Sequence, residues 1–250
     1  MRRPLSFMHG SKNQPKTRVI FVTGTDTGVG KTLLSCLLLV HLRERGSAAL
    51  GIKPFCSGTR ADVRLLRWAQ GSQLTESEIN PFYFREPVAP FVAARQHRRT
   101  IEPEAVVAHV AGIVAGCEFL LIEGAGGLLV PISKSFCTLD LILRLRCDVI
   151  VVSRNRLGTI NHTLLTVKAL QHAGIQHSSG NTQVPRLLNV VLMDHRLRDA
   201  SFASNAQILR EFLDRIPLIA VPFLRGNCAS PAGLEANQKK IKNILARIVR

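Results

Sequence analysis

The sequence predicts a single α/β domain built on a mostly parallel sheet with helices on both faces. Three observations lead there. Short apolar runs alternate with segments of helical period along most of the chain, the pattern of a buried parallel sheet joined by crossover helices. The first run leads straight into a Gly-rich turn, GTDTGVGKT over 24–32, where a helix should open. The 250 residues, 46% of them hydrophobic, suffice for one large core, and no linker divides them.

The elements follow in order. RVIFVT (18–23) reads as the first strand and 30–45 as the helix that opens at the turn. AALGIK (48–53) is the second strand, and ADVRLLRWAQ (61–70) an amphipathic helix with Val63, Leu65 and Leu66 near one face. Pro81, Pro87 and Pro90 mark a long loop, after which helical spacing resumes over 102–116. EFLLIE (118–123) is a buried strand that runs into the glycines of EGAGG. DVIVVS (148–153), RLLNVVLM (186–193) and PLIAVP (217–222) are the remaining strands, with helices at about 158–173, 200–214 and 234–249. Ligands of such a sheet gather at the carboxyl ends of its strands.

Composition narrows the function. No apolar stretch reaches the roughly 18 residues of a membrane-spanning helix, so a soluble protein with no membrane partner is expected. The six cysteines form no CxxC pair and several lie in apolar segments, as in a reduced, cytoplasmic protein. The net charge of +16 is spread along the chain, with mild concentrations at 95–99 (RQHRR) and at the C-terminus. It reads as a basic solvated surface, and no specific nucleic-acid partner is expected. Residues 1–17, basic and free of acids, read as a flexible extension ahead of a domain spanning 18–250.

The chemistry-bearing residues cluster at strand ends. After the first strand, backbone N–H groups of the turn and the following helix N-terminus favour phosphate oxygens, with Lys31 at the β- and γ-phosphates and the Thr32 hydroxyl on Mg²⁺. This is the strand, loop and helix of a P-loop NTPase, although Thr25 occupies the usual place of the first glycine and Gly24 stands one place earlier. The second strand ends in GIKPFCSG, which sets Lys53 and Ser57 beside the loop; a lone lysine at a strand end is more often merely solvated. Asp62 opens the next helix, where a dipole partner or cap is the ordinary reading. Glu123 ends the third strand directly before Gly124, Gly126 and Gly127, within reach of a metal held by Thr32. A hydroxyl and two carboxylates suit Mg²⁺, a hard cation that keeps several waters. No Ser-His-Asp arrangement follows from the spacing, and His162, His172 and Trp68 read as packed or exposed residues.

Taken in order, GTDTGVGKT, GIKPFCSG, NPFYFREPVAP, EGAGGLLVPIS and LGTINHTLLT closely resemble the dethiobiotin synthetase family, from about Arg18 to Pro222. The resemblance implies ATP-dependent carboxylation and ring closure of 7,8-diaminopelargonic acid with CO₂, giving dethiobiotin, ADP and phosphate through a carbamate and a carbamic-phosphoric anhydride. It implies catalytic roles for Thr27, Lys31 and Lys53, and Mg²⁺ ligands at Thr32, Asp62 and Glu123. ATP would meet Asp26, Thr27, Gly28, Val29, Gly30, Lys31, Thr32, Glu123, Gly126 and Pro222. The diamine would meet Thr27, Lys53 and Ser57, and its carboxylate tail would meet Leu157, Gly158, Thr159, Ile160 and Asn161 across a homodimer interface. The chain departs from the family at Met193, where many members carry Asn, and matches it poorly from Asn181 to Pro185 and at the basic C-terminus. Two other P-loop classes fit less well. A partition-type ATPase that binds DNA carries a second lysine five positions before the P-loop lysine, where this chain has Asp26. A cobyrinic acid synthase-like ligase normally carries a glutaminase domain, for which 250 residues leave no room.

Overall fold

The computed structural model describes residues 17–177 and 185–250. All but the last residue of the basic N-terminal segment, and residues 181–184 of the poorly matched stretch, lie outside them. In chain order the described strands are β1 (Arg18–Gly24), β2 (Ala49–Ile52), β3 (Phe55–Ser57), β4 (Phe82–Phe84), β5 (Phe119–Gly127), β6 (Pro131–Ser133), β7 (Phe136–Cys137), β8 (Asp148–Arg154), β9 (Leu187–Met193) and β10 (Leu218–Val221). The helices are α1 (Lys31–Glu44), α2 (Ala61–Ala69), α3 (Glu76–Ile79), α4 (Pro90–Gln96), α5 (Pro103–Val114), α6 (Thr138–Leu145), α7 (Thr159–His172), α8 (Phe202–Phe212) and α9 (Pro231–Ile248).

Six strands form the central sheet in the order β10-β9-β8-β1-β5-β2, every pair parallel. Its strands are apolar throughout because both faces are covered, and the two-residue period of a strand sends alternate side chains to opposite cores. Ile20, Val22, Leu121, Ile150 and Val152 face Leu34 and Leu38 of α1, Val63 and Leu66 of α2, and Leu234 and Leu245 of α9. Phe21, Leu120, Ile122, Val149 and Val151 face Val106 of α5, Leu141 of α6, Val167 of α7 and Leu209 of α8. From β1 the chain first builds outward on one side (β2, β5) and then on the other (β8, β9, β10), so a crevice opens above the carboxyl end of β1, between β5 and β8. Among the described residues no helix is long and apolar enough to cross a membrane.

The structure corrects several boundaries. The segment expected as one long loop holds α3, β4 and α4. Thr75 and Glu78 form a capping box that starts α3, β4 pairs in parallel with β3, and Pro90 opens α4, so the prolines mark element ends. The third strand of the sheet, β5, does not stop at Glu123 but continues to Gly127, because Gly24 pairs with Gly127 beyond a bulge. β2 stops at Ile52, and the Lys53 N–H leaves the sheet to donate to the Ile79 carbonyl at 2.9 Å. α9 begins at Pro231 rather than 234 and is kinked at Ile241. The sequence reading contained no counterpart of α6 or of the β6–β7 pair.

Candidate active site

The chain turns tightly where β1 ends. A Cβ on Gly24 would stand 2.8 Å from Val29 Cγ2 and 3.1 Å from the Asp26 carbonyl oxygen, so only glycine lets the loop fold on itself here. Gly30, at a φ of 106°, caps α1 with no side chain to offer, which leaves first-turn N–H groups for an anion. Lys31 is buried and reaches back across the loop, its Nζ donating to the Asp26 carbonyl at 2.8 Å. Burial pushes its pKa down; Glu123 opposes this, the neighbouring Lys53 ammonium adds to it, and the outcome is about 8.

Beside the loop, residues far apart in sequence converge. Thr32 lies on the first turn of α1 and its Oγ1 donates to Glu123 Oε1 at 2.6 Å. Glu123 sits in mid-strand opposite Val22, only 1% exposed, and its Oε2 has no hydrogen-bond partner among the described residues. Lys53, one residue past β2, places Nζ 2.7 Å from Glu123 Oε1 and 2.5 Å from Asp62 Oδ2. Asp62 is the second residue of α2 and makes this ion pair, while Arg60 holds the cap position without a side-chain bond. Burial disfavours the Lys53 charge, but Glu123 and Asp62 outweigh it and raise the pKa.

The donor set fits a hard divalent cation. A hydroxyl and two carboxylates stand together, and the buried Glu123 Oε2 still needs a partner. Among the described residues no group of three or more His, Cys, Asp or Glu forms a metal cluster, so protein carboxylates alone would not complete the coordination of such an ion.

On the other flank, β8 delivers residues that the sequence reading passed over. A guanidinium nitrogen of Arg154 donates to the Gly28 carbonyl, and Arg156 Nη2 lies 3.7 Å from Asp26 Oδ2. Their only signal is position, two arginines at the carboxyl end of a strand beside a phosphate loop, and in so basic a chain they read as surface. Ser153 Oγ bonds the hydroxyls of Thr159 at 2.6 Å and Thr163 at 2.9 Å, while Thr25 of the loop reaches it at 3.4 Å. A chain of hydroxyls thus ties the phosphate loop to the start of α7. Thr25, Arg156, Thr159 and His162 border a cavity of about 10 Å³, room for one water.

Of the residues anticipated from sequence, the structure brings together Lys31, Thr32, Lys53, Asp62 and Glu123. Thr27 is exposed at the loop tip, near Gly126, where a Cβ would lie 3.5 Å from its Oγ1. Ser57 is half-buried at the end of β3. Leu157 and Asn161 are exposed around the start of α7, and the Leu157 N–H is held by Asp199 at 2.8 Å. Pro222 is exposed past the end of the edge strand β10. Met193 is buried and supports the phosphate loop from below, within 3.3 Å of where a Gly30 Cβ would be. His162 and His172 are exposed, and Trp68 packs half-buried against the α1 side of the core.

A family model described as an AAA domain matches residues 18–225. The ATP-dependent dethiobiotin synthetase BioD of Bacillus velezensis is 35% identical over 210 residues, which span 82% of this chain and 85% of that protein. The chain belongs to the dethiobiotin synthetase family. The protein of the same name from an Anaeromyxobacter species is 44% identical over 164 residues, covering 63% of this chain and 73% of its own. As a member of the dethiobiotin synthetase family the chain is an ATP-dependent ligase. Solved structures share its fold at low identity. The septum site-determining protein MinD of Pyrococcus horikoshii, complexed with Mg-ADP, superposes with a TM-score of 0.56 at 16% identity over 93% of each chain. The pNOB8 ParA protein bound to nonspecific DNA gives 0.52 at 15% identity, over 93% of this chain and 98% of that one. Both show only that this dethiobiotin synthetase relative shares its fold with a wider group.

Proposed function

We propose that this protein makes dethiobiotin, carboxylating 7,8-diaminopelargonic acid with CO₂ and closing the ureido ring at the expense of ATP. The observation that carries the reading is the convergence of Lys31, Lys53, Thr32 and two carboxylates at the mouth of the crevice, in a member of this family. One amine adds to CO₂, forming a C–N bond and losing a proton. The carbamate oxygen attacks the γ-phosphorus as the bond to ADP breaks. The second amine then attacks the carbonyl of the carbamic-phosphoric anhydride, loses its proton, and phosphate departs with the oxygen.

Carbamate and triphosphate are both anionic, so the residues' work is to bring them together and offset their repulsion. Lys31 holds the β- and γ-phosphates, while Lys53 and Thr27 face the carbamate, and Ser57 binds the diamine. Mg²⁺ held by Thr32, Asp62 and Glu123 would neutralise charge on the same phosphate oxygens. Residues 26–32, with Glu123, Gly126 and Pro222, contact the nucleotide. The start of α7, from Leu157 to Asn161, receives the substrate carboxylate from across a homodimer interface; Gly158 caps this helix without a side-chain bond, which supports anion capture there. We assign the reaction to residues 18–250 and to the cytoplasm.

The test is ADP release and dethiobiotin formation, followed by mass spectrometry, with diaminopelargonate and bicarbonate supplied. Release that requires the diamine and yields dethiobiotin supports the reading. Release stimulated by DNA and indifferent to the diamine would overturn it in favour of a partition-type ATPase.

A further inference from the structure

We propose that Lys53 is a stand-in cation for the metal: in the nucleotide-free enzyme its ammonium holds Asp62 and Glu123 where a divalent ion would, and metal with nucleotide displaces it toward the substrate. This deepens the reading of Thr32, Asp62 and Glu123 as metal ligands and rests on it.

The geometry leads there directly. Glu123 is 1% exposed and Asp62, on α2, is half-exposed; among the described residues Lys53 Nζ alone bridges their oxygens, at 2.7 and 2.5 Å. A carboxylate as deeply buried as Glu123 is costly without a counter-charge, so its site needs a cation of some kind, metal or ammonium, to stay assembled. Glu123 Oε1 already accepts from both Thr32 and Lys53, whereas Oε2 remains unpartnered. The cradle is therefore formed but only partly satisfied.

Mg²⁺ binds carboxylate oxygens at about 2.0–2.1 Å. A divalent ion and an ammonium sharing those oxygens would stand within a few ångströms of each other, at a strong electrostatic cost. The two must exchange. Lys53 is suited to that exchange, because its backbone is anchored while its four-carbon stem has rotatable bonds. Its N–H donates to Ile79 O at 2.9 Å and its carbonyl accepts from Asn80 Nδ2 at 2.9 Å. The four-carbon side chain between those anchors and Nζ carries free torsions. Ordered this way, a free lysine ammonium is presented to an anionic substrate only after the metal has taken its place.

Mn²⁺ titrations of the nucleotide-free, full-length protein, reading free Mn²⁺ by electron paramagnetic resonance, test this. Lys53→Met and Lys53→Gln are expected to bind one Mn²⁺ per chain at least about tenfold more tightly than the parent, since a repelling unit charge about 4 Å away is removed. Lys53→Arg, which keeps the charge, is expected to show no gain. Adding Glu123→Gln to Lys53→Met is expected to abolish the gain. Unchanged or weaker Mn²⁺ binding by folded Lys53→Met overturns the proposal, and so does a gain that survives Glu123→Gln. Should Lys53→Met melt at low temperature, Mn²⁺ alone is expected to restore its melting point, and failure to do so counts against the proposal equally. No diamine and no turnover enter these measurements, so their failure leaves the dethiobiotin reading standing, and loss of diamine-dependent ADP release leaves them standing.

Discussion

Lys31 and Lys53 are neighbouring buried lysines whose affinities for a proton are driven in opposite directions. Among the described residues Lys31 has a backbone carbonyl as its bonded partner and falls to about 8, while Lys53, between two carboxylates, is raised. As pH rises through about 8 the free enzyme loses the Lys31 charge and with it the proposed grip on the β- and γ-phosphates, whereas Lys53 stays charged. The kcat/KM for ATP, which reports the free enzyme, is therefore expected to fall with an apparent pKa near 8, and a flat profile to pH 9.5 would contradict this. Arg154 is the other residue-scale bet. Its guanidinium holds the Gly28 carbonyl outward from the loop, so Arg154→Ala is expected to raise the KM for ATP about tenfold, the scale of one charged hydrogen bond, with a smaller change in kcat; Arg154→Lys should recover part of it. Lys31 and Thr32 were legible because a phosphate loop is a local pattern. The gathering of Lys53, Asp62 and Glu123 near Thr32 was legible from strand ends and the family resemblance, but the pairing of Lys53 with both carboxylates was not, since it depends on where two strands and a helix end in space.

At the scale of elements, legibility followed length and periodicity. The six sheet strands and the long helices were readable from apolar runs, to within a few residues. α6 was not, being only eight residues long and preceded by Cys137, whose N–H is bonded by Asp140 in place of a more familiar Ser or Thr start. The stretch of prolines hid α3 and β4 because each is shorter than a periodicity can show. Thr75→Ala removes the hydroxyl that accepts from the Glu78 N–H, and urea denaturation is expected to show a loss of about 1 kcal/mol. No change in the midpoint would mean that the box contributes nothing. Because Ile79 at the end of this helix carries the Lys53 N–H, the same variant is expected to perturb turnover slightly, from a position outside the site.

For the whole molecule, the proposed homodimer makes a prediction that no single chain can satisfy. Lys31→Ala is expected to disable the proposed phosphate site, and Asn161→Asp places a like charge where the substrate carboxylate is expected. Mixed after subunit exchange, the two inactive proteins should regain activity, approaching a quarter of the parent level when half the chains carry each lesion, because every hybrid dimer keeps one site with both residues intact. Activity that stays at the level of the separate variants, with exchange demonstrated, would place the substrate tail within one subunit. Strand order has a further consequence for how the protein is made. β1 is the first element of the described chain, yet its partner on one side is β8, with Ile20 opposite Asp148 and Gly24 opposite Val152. While the ribosome is still adding the intervening segments, β1 presents an apolar edge with nothing to pair it, an invitation to aggregation that a chaperone would have to cover. The loop that grips phosphate thus begins to be synthesised early and is finished late, when Arg154 at the end of β8 has emerged from the exit tunnel.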